Sequence, residues 1–600
     1  MVRSAVSWMI LAGGLVAAKP TVMAQTPAPS KPSESAAVPA WVVRSNQTTQ
    51  MLLDVQLKHS PESGSAQGLK QYDPLITDAT RADEIAQRKQ LEVVLAQVRK
   101  IEAKEKDQDV HEDLEILLKA FDLQFRRDDY QLEHNVQFLD ASVLVFSGLR
   151  TLLDDQVAEE RRPAAVLRLR KYAGEEPGFK PFTDVLKQRM MEQMAKPGVE
   201  YPSLGEMETE LGRNKNYVDG LQQLFIKYKL TGWEEPFAKL REQLADYDTW
   251  VRATVIPKAR TDFRLAPAEY ALGLESYGVD LPPAQLAELA HKAFADCQAE
   301  MAPLALAIAK AHGWSLSDYR DVIREMKKTQ LEGDAIQPFY QARLREIEDI
   351  IVAKNLVTLP GRPAIIRLAS AAETAQQPAP HMVPPPFLHN TGQKGEFVLP
   401  LNVPSANGGA ADKYDDFTWD AVAWPMTAHE ARPGHELQFD LMVEHGVSLA
   451  RVLYAFNSTN VEGWGLYSEW MMEPYEPAEG RLATLQLRLL RAARAFLDPE
   501  LQSGKITVAD ADKVLENDVV LSHAFATEEL ERFTYRSPGQ ANSYFYGYIK
   551  LLQLRQDTEA ALGAKFDQKK FHDFLLAQGL LPPDLMRKAV MEKFVPAQKK

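Results

Sequence analysis

The sequence predicts a mainly α-helical protein: a large multi-helix architecture with a deep cleft and one small β element near residues 396–403. Three observations carry that expectation. Apolar residues recur at helical spacing along both halves of the chain, proline and glycine cluster in a single internal stretch, and only a short apolar run inside that stretch has strand character.

The first residues, MVRSAVSWMILAGGLVAAKPTVMAQ, place one Arg ahead of an apolar run that ends in the small-residue pattern VMA. This is the form of an export signal, with cleavage expected after Ala24. The run falls short of the roughly 20 apolar residues needed to span a bilayer, so no stable membrane insertion is expected after signal removal. An exported, periplasmic or secreted protein is the expectation. Residues 25–40 are Pro, Ser and Ala without apolar periodicity, a flexible leader.

Residues 41–357 are expected to form a helical N-terminal lobe. Leu91, Val94, Leu95, Val98 and Ile101 make one apolar stripe, and Leu114, Leu117, Leu118, Phe121 and Phe125 make another. Pro282 and Pro283 stand where a first helical turn tolerates proline. The single cysteine, Cys297, lies at helical spacing from apolar neighbours and reads as a packed small hydrophobe. Residues 358–600 form the expected catalytic lobe. Within it the run Glu396–Val403 reads as a strand, which Pro400 would confine to a sheet edge open to an extended peptide. Helix resumes from Trp419 and includes TLQLRLLRAARAFL.

The chain has 600 residues, 45 % of them hydrophobic and 25 % charged, which suits a large globular core. A net charge of −14 and the lack of a basic stripe argue against a nucleic-acid partner.

Chemistry concentrates in three stretches. TAHEARPGHELQ, residues 427–438, sets His429 and His435 six apart. On an unbroken helix residues four apart differ by about 40° and can share a metal, whereas six apart differ by about 240° and cannot. Pro433 and Gly434 precede His435 directly and supply a break, so the spacing reads as an HExxH zinc motif opened by two residues. Zinc hydrolases use a third protein ligand. In NVEGWGLYSEWMMEP, Glu462 is the candidate ligand, with small Gly463 expected to let its helix approach the motif. Glu469, seven residues on, would orient a ligating histidine or shape the pocket. Glu430 is the candidate general base. In ELERFTYRSPGQANSYFYGY, Tyr544 is the candidate oxyanion donor, and Arg532 or Arg536 is placed either to stabilise that charge or to bind a substrate carboxylate. His381 and His389, in the proline-rich stretch, read mainly as solvated loop histidines.

With HEARPGHELQ, VEGWGLYSE and SPGQANSYFYG in this order, the chain resembles the bacterial family known as domain of unknown function 885, from about residue 41 to the C-terminus. Residue 431, often Gly in the family motif, is Ala here. The family looks like a branch of the gluzincin-like zinc metallopeptidases, and the resemblance implies one zinc per chain held by His429, His435 and Glu462, with Glu430 as base. The resulting expectation is an exported zinc metallopeptidase of short peptides. A metal-dependent hydrolase of a modified amide, or a metal-bearing peptide-binding protein without turnover, are the alternatives.

Overall fold

The computed structural model describes residues 38–403 and 412–600. The expected signal sequence 1–24, and the expected leader up to residue 37, lie outside the described residues. The first helix among the described residues is α1 (Ala40–His59), which includes Trp41. Helices α2 (Arg81–Glu102) and α3 (Gln108–His134) follow, each started by a side chain that satisfies free backbone N–H groups: Thr80 accepts from Asp83, and Asp107 from Asp109 and Val110. The expected stripes pack against each other. Leu91, Leu95 and Val98 meet Leu114, Leu117 and Phe121, with Leu52 of α1 between them. Ile101 ends at the surface, one turn past the contact.

Helix α4 (Pro283–His312) starts at the Pro282–Pro283 pair, where a first-turn proline sacrifices no intrahelical hydrogen bond. Cys297 is buried on it, its thiol donating to the Leu485 carbonyl at 3.3 Å, and burial pushes the thiol pKa up to about 12. It is therefore an inert packing residue.

One three-stranded sheet interrupts the helices: β1 (Ile365–Leu368), β2 (His381–Val383) and β3 (Glu396–Leu399) in the order β1-β3-β2. β3 runs parallel to β1, with Ile365 opposite Glu396, and antiparallel to β2, with His381 opposite Val398. This corrects the expectation of an edge strand. β3 is central and paired on both sides, because it stops at Leu399 and leaves Pro400, which has no N–H to donate, outside the ladder. Asn402–Val403 pairs instead with Asp412–Lys413.

The site is built on five later helices: α5 (Ala423–Glu430), α6 (His435–His445), α7 (Ser458–Met472), α8 (Ala478–Gln502) and α9 (Asn542–Leu562). The largest apolar cluster joins residues on both sides of position 357: Leu286, Met301 and Tyr340 share it with Leu485, Leu489 and Phe525. No helix among the described residues is long and apolar enough to cross a membrane.

Candidate metal centre

The HEARPGH stretch folds as two helices with a tight turn between them. α5 ends at Glu430, α6 begins at His435, and the Arg432–Pro433 peptide between them is cis. Gly434 packs directly on the end of α5: a Cβ there would lie 1.9 Å from the His429 carbonyl oxygen and 2.4 Å from that of Ala428. No side chain fits, so the glycine is required by close approach. Two braces hold the turn. Trp464 of α7 donates its indole N–H to the Pro433 carbonyl at 3.0 Å. Arg432, almost wholly buried, forks onto Glu436 at 2.6 and 3.0 Å and also donates to Glu348 and to the Arg362 carbonyl.

This turn brings the two histidines together, their ring centroids 4.6 Å apart and their planes at 83°. Both Nε2 atoms face one oxygen of Glu462, at 3.4 Å each. The three ligand atoms lie within 4.8 Å of one another. A tetrahedral zinc with bonds of about 2.0–2.2 Å sets its ligands roughly 3.3–3.6 Å apart, so two edges of the cluster already match such an ion. Burying a carboxylate between two imidazoles is costly unless a counter-charge repays the lost hydration, and a divalent cation is that counter-charge. The donor set therefore fits zinc.

The surrounding groups prepare the histidines. Glu469 lies 2.7 Å from His429 Nδ1 and is itself held by Arg491 at 3.1 Å. With its proton on Nδ1, His429 would offer its Nε2 lone pair to an ion at the cluster. Burial would raise the Glu462 carboxyl, yet the two imidazoles hold it well below the usual carboxylate range. Glu430 behaves oppositely. Burial pushes it up to about 8, opposed chiefly by His435. Its Oε1 lies 4.0 Å from His429 Nε2, beside the cluster rather than in it.

Glycines determine how closely the helices pack. A Cβ at Gly465 would sit 2.4 Å from His429 Cε1, so the imidazole lies flat against α7 at that residue. Gly463, expected to face the motif, instead meets Gly547 of α9, where a Cβ would come within 2.7 Å of the backbone. Two positions on a helix differ by about 200°, so the residue facing the motif is 465 and not 463. Nothing in the sequence separated the two glycines, and Gly547 was missed altogether.

Tyr544 lies parallel to His429, centroids 6.4 Å apart with 17° between planes. Burial raises its phenol pKa, with the Glu462 carboxylate adding to the effect. The Arg494 and Arg532 guanidiniums lie over the same ring at 4.5 and 5.9 Å. Arg536 is engaged elsewhere, 3.5 Å from Glu528 and donating to the Gln376 carbonyl. His381 is a buried strand residue bonded to the Ala379 carbonyl, neutral because burial lowers it to about 4. It is therefore not the solvated loop histidine expected. His389 lies in the loop after β2, its backbone N–H bonded to Gln67. Neither belongs to the metal cluster.

Two other acid and histidine groups among the described residues have metal-like spacing, Glu102 with His111 and Glu115, and Asp512 with Glu516 and His523. Both are more exposed, and water already solvates their charges. A mostly apolar cavity of about 50 Å³ lies between α7, α9 and the C-terminal helices, lined by Trp464, Leu551, Leu575 and Met586. No residue of the metal cluster lines it.

The chain belongs to the family described as "Bacterial protein of unknown function (DUF885)", whose model matches residues 61–590. It is similar in fold to a "putative lipoprotein" from Colwellia psychrerythraea, with 18 % identity and a TM-score of 0.73 over 93 % of this chain and 98 % of the other. A second, a "putative lipoprotein of unknown function" from Shewanella oneidensis, has 18 % identity and a TM-score of 0.68 over 91 % and 99 %. At that identity the likeness concerns the fold. No curated protein matches the chain.

Proposed function

We propose that this chain is an exported, zinc-dependent metallopeptidase that hydrolyses peptide bonds in short peptides. The observation that carries the reading is the convergence of His429 Nε2, His435 Nε2 and Glu462 Oε2 in a buried pocket with the Glu430 carboxylate beside them. The Glu469 and Arg491 relay behind His429 supports it, since a metal-ligating histidine characteristically donates its other ring N–H to a carboxylate.

Zinc, when bound, supplies Lewis acidity that polarises an amide carbonyl and makes a water easier to deprotonate. His429, His435 and Glu462 would hold the ion, and Glu469 would keep His429 in the ligating tautomer. Glu430 takes one proton from the attacking water while the water oxygen bonds the carbonyl carbon. It passes that proton to the leaving nitrogen as the C–N bond breaks. Tyr544 donates its phenolic hydrogen to the oxyanion that develops on the carbonyl oxygen. A cation at the cluster also favours the ionised form of Glu430, offsetting the burial that raises it.

Metal content of the purified protein and turnover of a short-peptide library test the reading together. The expected result is about one zinc per chain, lost in His435→Ala and retained in Glu430→Gln, with turnover in the latter lower by about 10²–10⁴. An intact protein that takes up no metal when zinc is supplied overturns it. A Glu430→Gln variant that turns over peptide at the parent rate removes Glu430 as base.

A further inference from the structure

Arg532 is an anomaly among the buried cations beside the metal cluster. Arg494 forks onto Glu529 with two bonds of 2.6 Å. Arg491 donates to Glu469, and Arg213 to Glu531 at 2.8 Å. Arg536 donates to Glu528 and to a carbonyl. Arg532, with a side chain only 14 % exposed, makes no hydrogen bond among the described residues. Its nearest carboxylate oxygen, on Glu529, is 3.7 Å away, and both oxygens of Glu529 are already taken by the Arg494 fork.

A guanidinium carries five N–H donors in a fixed plane, and here the Nη1 group is buried without an acceptor, which is expensive. Such a group persists where a ligand brings the acceptors. The planar fork matches a carboxylate, which accepts two parallel N–H bonds. Position fixes what kind of carboxylate. Arg532 Cζ lies 5.9 Å from the Tyr544 ring, and that ring 6.4 Å from His429. An extended residue spans about 3.3–3.6 Å, so the captured carboxylate lies no more than about four residues from the bond held at the metal cluster.

We infer that Arg532 is a specificity residue that binds the carboxylate of a short peptide, placing the scissile bond within about four residues of that charge. The α-carboxylate of the C-terminus is the source that every short peptide carries, which makes the enzyme one that cuts near the C-terminal end. An acidic side chain at the same distance offers the same chemistry. The inference rests on the peptidase reading for the cleavage but not for the binding.

Calorimetric binding to the full chain carrying Glu430→Gln, which prevents turnover, separates the two. The probes are one tripeptide as the free acid, the same tripeptide as its C-terminal amide, and that amide with a Glu in its last position. The free acid is expected to bind at least tenfold more tightly than the plain amide, and an added Arg532→Gln change is expected to abolish the difference. Arg532→Lys, which keeps the charge without the fork, should retain part of it and guards against misfolding of the Gln variant. If the Glu-containing amide alone recovers the affinity, the carboxylate is that of a side chain, and the C-terminal assignment is overturned while the anion site stands. Equal binding of acid and plain amide, or a preference that survives Arg532→Gln, overturns the whole inference. A carboxylate preference lost in Arg532→Gln, in a protein that holds no zinc, would sink the peptidase reading and leave the binding site in place.

Discussion

Helices α2 and α3 and helices α5 to α7 achieve burial by opposite means. In α2 the buried side chains are Gln87, Leu91, Leu95 and Val98, a single stripe, and the remaining faces meet water. In α7 almost every residue from Ser458 to Met472 is buried, including Gly463, Gly465, Ser468 and Glu469. An apolar stripe exists only where a helix has one wet face and one dry one. A helix with no wet face is organised by the size and charge of its residues: glycine where a backbone or an imidazole presses in, carboxylate where a histidine or arginine waits. The first kind of region is stabilised chiefly by the packing of that stripe. The second also spends stability to hold charges in fixed places, which is what a reactive centre requires.

That contrast is most directly broken at Gly434. A Gly434→Ala change forces a methyl group into the His429 carbonyl, and neither α5 nor α6 has room to retreat between the Arg432 and Trp464 braces. The expected outcome is loss of zinc together with a stability loss on the order of 3–5 kcal/mol, read by elemental analysis and urea unfolding. Normal metal content in this variant would mean that the turn does not create the convergence. Leu114→Ala is the matching lesion in the other region. Leu114 is fully buried among Leu52, Leu91 and Phe121, so its truncation should cost roughly 2–5 kcal/mol while the folded protein keeps its full complement of metal. Metal affinity that falls in step with stability would show that the two regions are not separable.

Glu469→Gln sharpens the comparison with a smaller change. The amide fits the same space between His429 and Arg491 but no longer fixes the histidine proton by charge. Zinc affinity should fall about 10–100-fold in a competition titration, with little change in the unfolding midpoint of the metal-free protein. An unchanged affinity would demote Glu469 to packing.

The same division explains what the sequence made legible. The stripes on α2 and α3, the start of α4 at Pro283 and the packed state of Cys297 follow from periodicity and proline chemistry, which are local. The convergence of His429 and His435 was legible because Pro433 and Gly434 announce a break at the right place. The partner glycine of His429, the Arg491 relay and the Glu348 brace were not, because each depends on which face of one helix meets another. β3 was misplaced for a related reason. Pro400 was read as a residue of the strand, whereas it lies one position beyond its end, and a single position decides between edge and centre.

Buried acids extend the comparison to pH. Near the metal cluster Glu469 and Glu529 each have an arginine donor and are held below their ordinary range although burial alone would raise them. In the N-terminal region Asp248 has, among the described residues, the Asn214 amide as its one hydrogen-bond donor at 2.9 Å, and burial raises it to about 6. The unfolded chain releases this proton near pH 4, whereas the folded chain keeps it until about pH 6. The protonated group therefore favours folding fully below about pH 4, and that contribution is lost as pH rises to about 6, beyond which the fold carries a buried charge. Asp248→Asn keeps an acceptor for Asn214 and cannot ionise. Unfolding of both proteins between pH 4 and 7 should show the parent losing stability relative to the variant across pH 4–6, ending roughly 1–3 kcal/mol less stable at pH 7. A constant difference across that range would mean that Asp248 is solvated well enough to ionise freely.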